Sequence, residues 1–354
     1  QLSLAREMTY YIDTENSDMN QLAFEQIKGN DLPVWKDVQS PDEIEVRRIS
    51  GAMTNIIFKV TVKGKKCQPL LFRAYGCSTD LFFNRDDELY YFQKLSDENF
   101  GISLLKSFPG GRLEVWREGY DPLLAPQMRE DEISDKIAVK LASMHNIKLN
   151  SYDKEEYFKH YYYWAEGIKN SCTKDIFKNV RLDLILPEIE SLKSLITSED
   201  YEVVFGHHDL QHGNILMNKE GDIMFVDFEY SGPISVGVDI ANHFCEWMTD
   251  YNLPDSEILR ESLGPTEEQQ RRFIRSYLRA RFGKEPTEEE VEKLKETVRK
   301  HTLLTDFHWF LWGLLQKQMS TIDWDYWKYT ECRWGRYARV KKEIYGVDAL
   351  PIMP

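Results

Sequence analysis

A chain of 354 residues with 42% hydrophobic side chains is long enough for two lobes built on sizeable cores. Its 45 lysines and arginines face 59 aspartates and glutamates, and the formal charge of -14 argues against nucleic acid or an anionic membrane surface as partner. Five scattered cysteines without a C-x-x-C pair indicate neither a disulfide framework nor a zinc knuckle, and apolar runs such as Phe310 to Leu315 fall far short of the ~20 residues that span a bilayer, so a cytosolic protein without stable membrane insertion is expected.

Residues 1–42 are polar, lack a sustained strand period and break at Asp31-Leu32-Pro33, which predicts a helical or loose extension. From Glu43 the β-branched and aromatic runs Ile44/Val46, Ile56 to Val62 and Leu70 to Phe72 alternate with Gly-containing turns and read as an antiparallel sheet. Leu89, Phe92 and Leu95 then recur at helical spacing, Arg112 to Arg117 returns to a strand, and Gly119-Tyr120-Asp121-Pro122 marks the end of a first lobe over 43–118. Beyond it, over 119–354, the chain is mainly helical. Ile133, Ile137, Leu141 and Met144 share one helix face, and the capping boxes Thr266/Gln269 and Thr287/Glu290 announce two more helices. The fold class expected is α+β: two lobes, as in protein kinases, with a small antiparallel β-rich N-lobe and a large mainly helical C-lobe.

The chemistry is concentrated in Phe205-Gly206-His207-His208-Asp209-Leu210-Gln211-His212-Gly213-Asn214 and in Phe225-Val226-Asp227-Phe228-Glu229-Tyr230. Phosphoryl transfer asks for one carboxylate facing the acceptor hydroxyl and hard oxygen ligands around magnesium. Asp209 fits the first role. Asn214, five residues on, with Asp227 and Glu229, fits the second, and the runs Ile215 to Met217 and Ile223 to Val226 around the Lys219 to Asp222 turn bring both loops to one end of a hairpin. His207, His208 and His212 invite a zinc reading, but no cysteine or H-E-x-x-H spacing accompanies them. In the first lobe the Ser50 to Asn55 segment, with Ser50, Gly51 and Asn55, is expected to cover phosphates. Arg73 ends a strand where a protein kinase carries its phosphate-pairing lysine, Glu88 is expected to hold it, and the strand from Glu114 is expected to meet the adenine.

His208-Asp209-Leu210-Gln211-His212-Gly213-Asn214 and the stretches Val226 to Ser231 and Asp239 to Trp247 resemble the catalytic loop and signature of the choline/ethanolamine kinase family, over about Glu43 to Tyr337. His208 departs from that pattern, in which asparagine stands beside the catalytic aspartate. The resemblance implies ATP and Mg2+, Asp209 as catalytic base with Gln211 and Asn214 in the same loop, Asp227 as metal and nucleotide ligand, and phosphorylation of an amino alcohol as the first step towards phosphatidylcholine or phosphatidylethanolamine. A quaternary ammonium has no N–H donor and is held by aromatic faces and a carboxylate. By the resemblance Trp309, Trp312, Trp324, Tyr329 and Tyr251 line that site, with Glu246 as counter-charge. The aromatic run from Trp324 to Trp327 favours choline, while Ser320 to Asp323 resembles ethanolamine-preferring members. An ethanolamine kinase, an aminoglycoside-type phosphotransferase and an inactive nucleotide-binding scaffold are the alternatives. The partner expected is a small-molecule amino alcohol, with a homodimer left open.

Overall fold

The computed structural model describes residues 12–49, 55–75, 85–148, 154–171, 177–320 and 322–354. Two compact units emerge, one reaching Gly119 and one running on from Tyr120.

In the first unit α1 (Met19–Ile27) starts at Asp18, whose carboxylate accepts the backbone N–H groups of Asn20 and Gln21. A five-stranded antiparallel sheet follows, made of β1 (Ile44–Ile49), β2 (Asn55–Val62), β3 (Leu70–Tyr75), β4 (Leu104–Phe108) and β5 (Gly111–Val115), in the order β1-β2-β3-β5-β4, with α2 (Arg85–Asp97) between β3 and β4. Alternation along β2 sends Phe58, Val60 and Val62 inward, whereas β3 is buried throughout. The segment expected to be helical or loose joins the core: Ala23, Ile27 and Trp35 pack with Ile44, Val60, Phe72 and Leu113, and Trp35 Nε1 donates to Gln68 O at 2.7 Å.

The second unit opens with β6 (Asp121–Pro122), α3 (Ala125–Met128), α4 (Asp131–His145), α5 (Lys159–Ser171) and α6 (Ile185–Thr197). Next come β7 (Val203–Gly206), β8 (Ile215–Met217), β9 (Ile223–Phe225), β10 (Gly232–Ser235) and α7 (Val236–Glu246), then α8 (Glu267–Phe282), α9 (Glu288–Met319) and α10 (Tyr326–Tyr345). β8 and β9 form the expected antiparallel hairpin, and β7 pairs with β10. All four periodic residues of α4, Ile133, Ile137, Leu141 and Met144, are buried. Both capping boxes form, and Gly283 and Gly346 end α8 and α10 in the left-handed conformation. α9 is the central element, contacting α5, α7, α8 and α10. Its first half is amphipathic, but every residue from Leu303 to Gln316 is buried. No helix among the described residues is long and apolar enough to cross a membrane.

Candidate active site

The catalytic-loop segment leaves β7 at Gly206, where an added Cβ would stand 2.7 Å from Asp239 Oδ2. That approach lets Asp239, in the first turn of α7, gather the loop. Its Oδ2 accepts His207 N–H at 2.7 Å and its Oδ1 accepts His208 N–H at 2.8 Å. One turn further on, Asn242 Oδ1 accepts Leu210 N–H at 3.0 Å, and His243 Nδ1 sits 3.0 Å from Leu210 O. His145 Nε2 lies 2.9 Å from Asp239 Oδ2, braced behind by Tyr277 OH. Burial pushes the Asp239 carboxyl up, but the hydrogen bonds from the His145 ring and the His207 backbone N–H outweigh it and bring it down to about 2. A permanently ionised carboxylate therefore anchors the loop.

On this scaffold Asp209 is held by Asn214, whose Nδ2 donates to Asp209 O and Oδ2, both at 2.9 Å. That use of the amide nitrogen leaves Asn214 Oδ1 as the atom a cation can take. Gln211 Oε1 accepts Gly213 N–H at 2.7 Å, so this side chain shapes the turn that carries Asn214. Val226 N–H donates to Asn214 O at 3.0 Å, tying the second loop to the first. His208 and Asp227 both have φ of 65°, a conformation costly for residues other than glycine that persists where surrounding bonds over-determine it. The Asp209 carboxyl is pushed well above the ordinary range, first by burial and then by the charges of Glu246 and Asp227. Those three carboxylates consequently share one electrostatic environment. Glu229 is buried in the same strand-to-loop segment.

The three histidines do not converge as zinc ligands. His207 Nε2 bonds Val226 O, His208 Nε2 bonds Tyr157 OH and His212 Nδ1 bonds Leu123 O, at 2.9, 3.2 and 3.0 Å. Among the described residues no three His, Cys, Asp or Glu side chains form a metal-binding group.

The aromatic residues do gather. Trp309 and Trp312 meet edge to face at 5.4 Å between ring centroids, Tyr329 lies 5.9 Å from Trp312, and Trp324 lies 5.1 Å from Tyr329. Trp312 Nε1 donates to Tyr230 OH at 2.8 Å, and the field of Asp209 reaches the phenols of Tyr230, Tyr251 and Tyr329. Glu246, expected as the counter-charge, carries a donor on each oxygen: its Oε1 accepts Arg333 Nη2 at 2.9 Å and its Oε2 accepts Tyr251 OH at 2.8 Å.

In the first unit Ser50 and Gly51 lie outside the described residues, and Asn55 opens β2 as a buried residue. Arg73 Nε and Arg112 Nε both donate to Glu114 Oε1, at 2.9 and 2.7 Å, and Arg112 Nη1 donates to Glu88 Oε1 at 2.5 Å. Glu114 thus takes Arg73 Nε, and Glu88 takes Arg112. The Glu114 side chain is an interior ion partner, fully buried, and Arg73 and Arg112 overcome the effect of burial to lower its carboxyl.

Sequence reasoning gave Arg112, Asp239, Asn242, His243, Asp306 and Arg333 no individual role, although Asp239, Asn242 and His243 lie in the stretch that resembles the family signature. One signal was available: Asp239, Asn242, His243 and Glu246 recur at 3, 1 and 3 residues, a polar stripe along a helix that is otherwise apolar. The other residues are charged groups that a sequence reads as solvated surface.

Residues 46–338 match the family model described as choline/ethanolamine kinase. The chain is 36% identical to probable choline kinase 3 of Arabidopsis thaliana, covering 86% of this chain and 88% of that protein, and 33% identical to the human choline/ethanolamine kinase, covering 89% and 84%. Its fold matches the crystal structure of a choline kinase from Cryptosporidium parvum with a TM-score of 0.75 and 28% identity, covering 92% of this chain and 95% of that one. Kinase membership carries nucleotide binding with it. A matched span of this length, together with an aspartate loop tied to an acidic hairpin loop, places the chain in the choline/ethanolamine kinase family.

Proposed function

We infer that this chain transfers the γ-phosphoryl group of ATP to the hydroxyl of choline, giving phosphocholine and ADP. The observation that supports this most is that one unit carries both the Asp209 loop, held by Asn214 and tied to the Asp227 loop, and the cluster of Trp309, Trp312, Trp324 and Tyr329 rings. Aromatic faces attract a quaternary ammonium without needing hydrogen bonds. With the ammonium at the rings, the hydroxyl two carbons away comes to Asp209. Asp209 accepts its proton as the oxygen attacks phosphorus, and Asn214, donating to Oδ2, holds the carboxylate in position.

Asp227, Glu229 and Asn214 Oδ1 are hard oxygen donors of the kind Mg2+ prefers, and the bound ion neutralises phosphate charge. Burial and two neighbouring carboxylates raise the proton affinity of Asp209, which suits a base, and a cation on either side restores its ionised form. Arg73, oriented by Glu114, is the first unit's candidate for pairing the phosphates.

The test is product formation with ATP, Mg2+ and choline. Asp209→Ala is expected to lower kcat by roughly 10²–10⁴-fold while circular dichroism stays native. Near-normal turnover in that variant overturns the role.

A further inference from the structure

The catalytic loop uses one face of α7, and the opposite face lines a cavity that the chemistry above does not touch. Asp239, Asn242, His243 and Glu246 make the first stripe. Ala241, Phe244, Cys245 and Met248 make the second, displaced by two residues throughout, or about 200° around the helix axis. Between this second stripe, α9 and α10 lies a half-open cavity of about 250 Å³, with an apolar wall of Phe244, Met248, Val298, Val340 and Ile344. Most polar side chains of its lining are bonded elsewhere. Glu261 accepts Arg339 Nη2 and Glu343 accepts Arg339 Nη1, Arg299 donates to Glu296, Gln270 to Pro265 O and Thr302 to Val298 O. Arg336 is different. Its Nη1 is held by Asp306 at 2.8 and 2.6 Å and lies 3.1 Å from Cys245 Sγ. Its Nε and Nη2 have no acceptor among the described residues, and they are not sealed in the interior, although the side chain is only 11% exposed. Those two donors form the side-on edge of the guanidinium, whose parallel N–H bonds match the spacing of a carboxylate.

We propose that this cavity binds a small organic carboxylate, its oxygens on the Nε and Nη2 edge of Arg336 and its hydrocarbon body against the apolar wall. Volume sets the size of the body. A cavity of about 150 Å³ holds benzene, so this one admits on the order of ten non-hydrogen atoms, an eight-carbon acid rather than a long-chain lipid. Charge sets the head group. Arg336 already shares its charge with Asp306, and the Glu261 and Glu343 carboxylates stand in the same lining, so a single negative charge is matched, whereas a phosphate dianion calls for a second cation. The site is separate from the phosphotransfer site, because the two lie on opposite faces of α7.

The experiment is isothermal titration of octanoate into the full chain at pH 7.5. One saturable site is expected, with a Kd on the order of 1 mM or below, and the same Kd with choline present or with ATP and Mg2+ present. 1-Octanol has the same body without the charge and binds on the order of tenfold more weakly. Arg336→Lys keeps a cation on Asp306 but cannot present two parallel N–H bonds, and it weakens octanoate by a similar factor. Val340→Trp fills the cavity from α10 without changing Arg336 or Asp306, so it removes octanoate binding and retains wild-type turnover. No saturable binding to the wild type overturns the proposal, as does octanol binding as tightly as octanoate. Displacement of octanoate by choline or ATP overturns it too, because the acid then sits in the phosphotransfer site. A folded Val340→Trp protein with wild-type octanoate affinity overturns it independently of any change to the arginine.

Discussion

Asp209 has a stability cost that its chemistry explains. A carboxyl whose folded pKa is raised above its unfolded value contributes stability only at low pH, and that contribution is lost as pH rises through the folded pKa. Burial and the charges of Glu246 and Asp227 raise Asp209 in this way, so at neutral pH this residue opposes folding. Asp209→Asn keeps the shape and removes the repulsion. It is therefore expected to melt at a higher temperature than the wild type at pH 7.5 while losing turnover, and a scanning-calorimetry trace with an unchanged or lower Tm would show that Asp209 carries no such cost. The gap between the two proteins should close as pH falls, because wild-type Asp209 then becomes neutral too. Mg2+ and a substrate cation offset the same repulsion, so the wild type gains more from their addition than the variant does.

At the scale of elements, α7 acts as the clamp of the catalytic loop through a single face: Asp239, Asn242, His243 and Glu246 successively take His207, His208, Leu210, Arg333 and Tyr251. Asp239→Ala leaves two backbone N–H groups and the His145 ring without their acceptor in a buried place, at about 1–3 kcal/mol per group. A loss of several kcal/mol in urea unfolding is expected, with kcat falling more than KM rises, because the loop that orients Asp209 is loosened while the aromatic residues of α9 and α10 stay packed. A variant of wild-type stability would show that the loop is held by something else. Much of the architecture was legible in residue pattern. β2, β3 and the β8/β9 hairpin appeared as β-branched runs broken by turns, and α8 and α9 announced themselves by capping boxes. What stayed hidden has a common physical origin. The full length of α9 escapes because its period fades where all sides become buried beyond Leu303. The Arg73–Glu114–Arg112–Glu88 and Glu246–Arg333–Asp306–Arg336 chains join residues far apart in sequence, and a charged side chain looks the same to a periodicity argument whether it faces water or an ion partner. The phosphotransfer loops were legible because their chemistry is written in consecutive residues.

For the molecule as a whole, seven of its eight histidines are held as neutral rings, an unusual load for a single chain. Burial is the largest cause in every case: it brings His208 and His243 down to about 4 and His160 and His301 to about 3, and it lowers His145, His207 and His308 as well. Three of these rings cluster beside the catalytic loop, with His208 and His308 centroids 4.0 Å apart and His160 Nε2 3.1 Å from His308 Nδ1, so a proton on one disfavours a proton on the next. In the unfolded chain each imidazole titrates near ~6.5. A group whose folded pKa is depressed contributes stability that is fully present above the unfolded value and is lost as pH falls towards the folded one. The window therefore opens near pH ~6.5 and extends to about 4 for His208 and His243, with each such ring worth on the order of 3 kcal/mol across it. Acidification also relieves the net charge of -14, which favours the compact state, but that charge lies mostly at the solvated surface and is screened by salt within ~8–10 Å. The buried rings all act in the opposite direction over this window and are shielded from salt. The urea midpoint is accordingly expected to drop steeply between pH 7 and 5, and the protein to unfold well before its carboxylates titrate. His208→Asn, which tolerates the left-handed backbone and carries no proton, should flatten that slope by about one proton, or ~1.4 kcal/mol per pH unit. A midpoint that stays constant from pH 7 to 5 would show that the rings take up protons without unfolding, and with them that the catalytic loop rests on a scaffold of charged rather than neutral imidazoles.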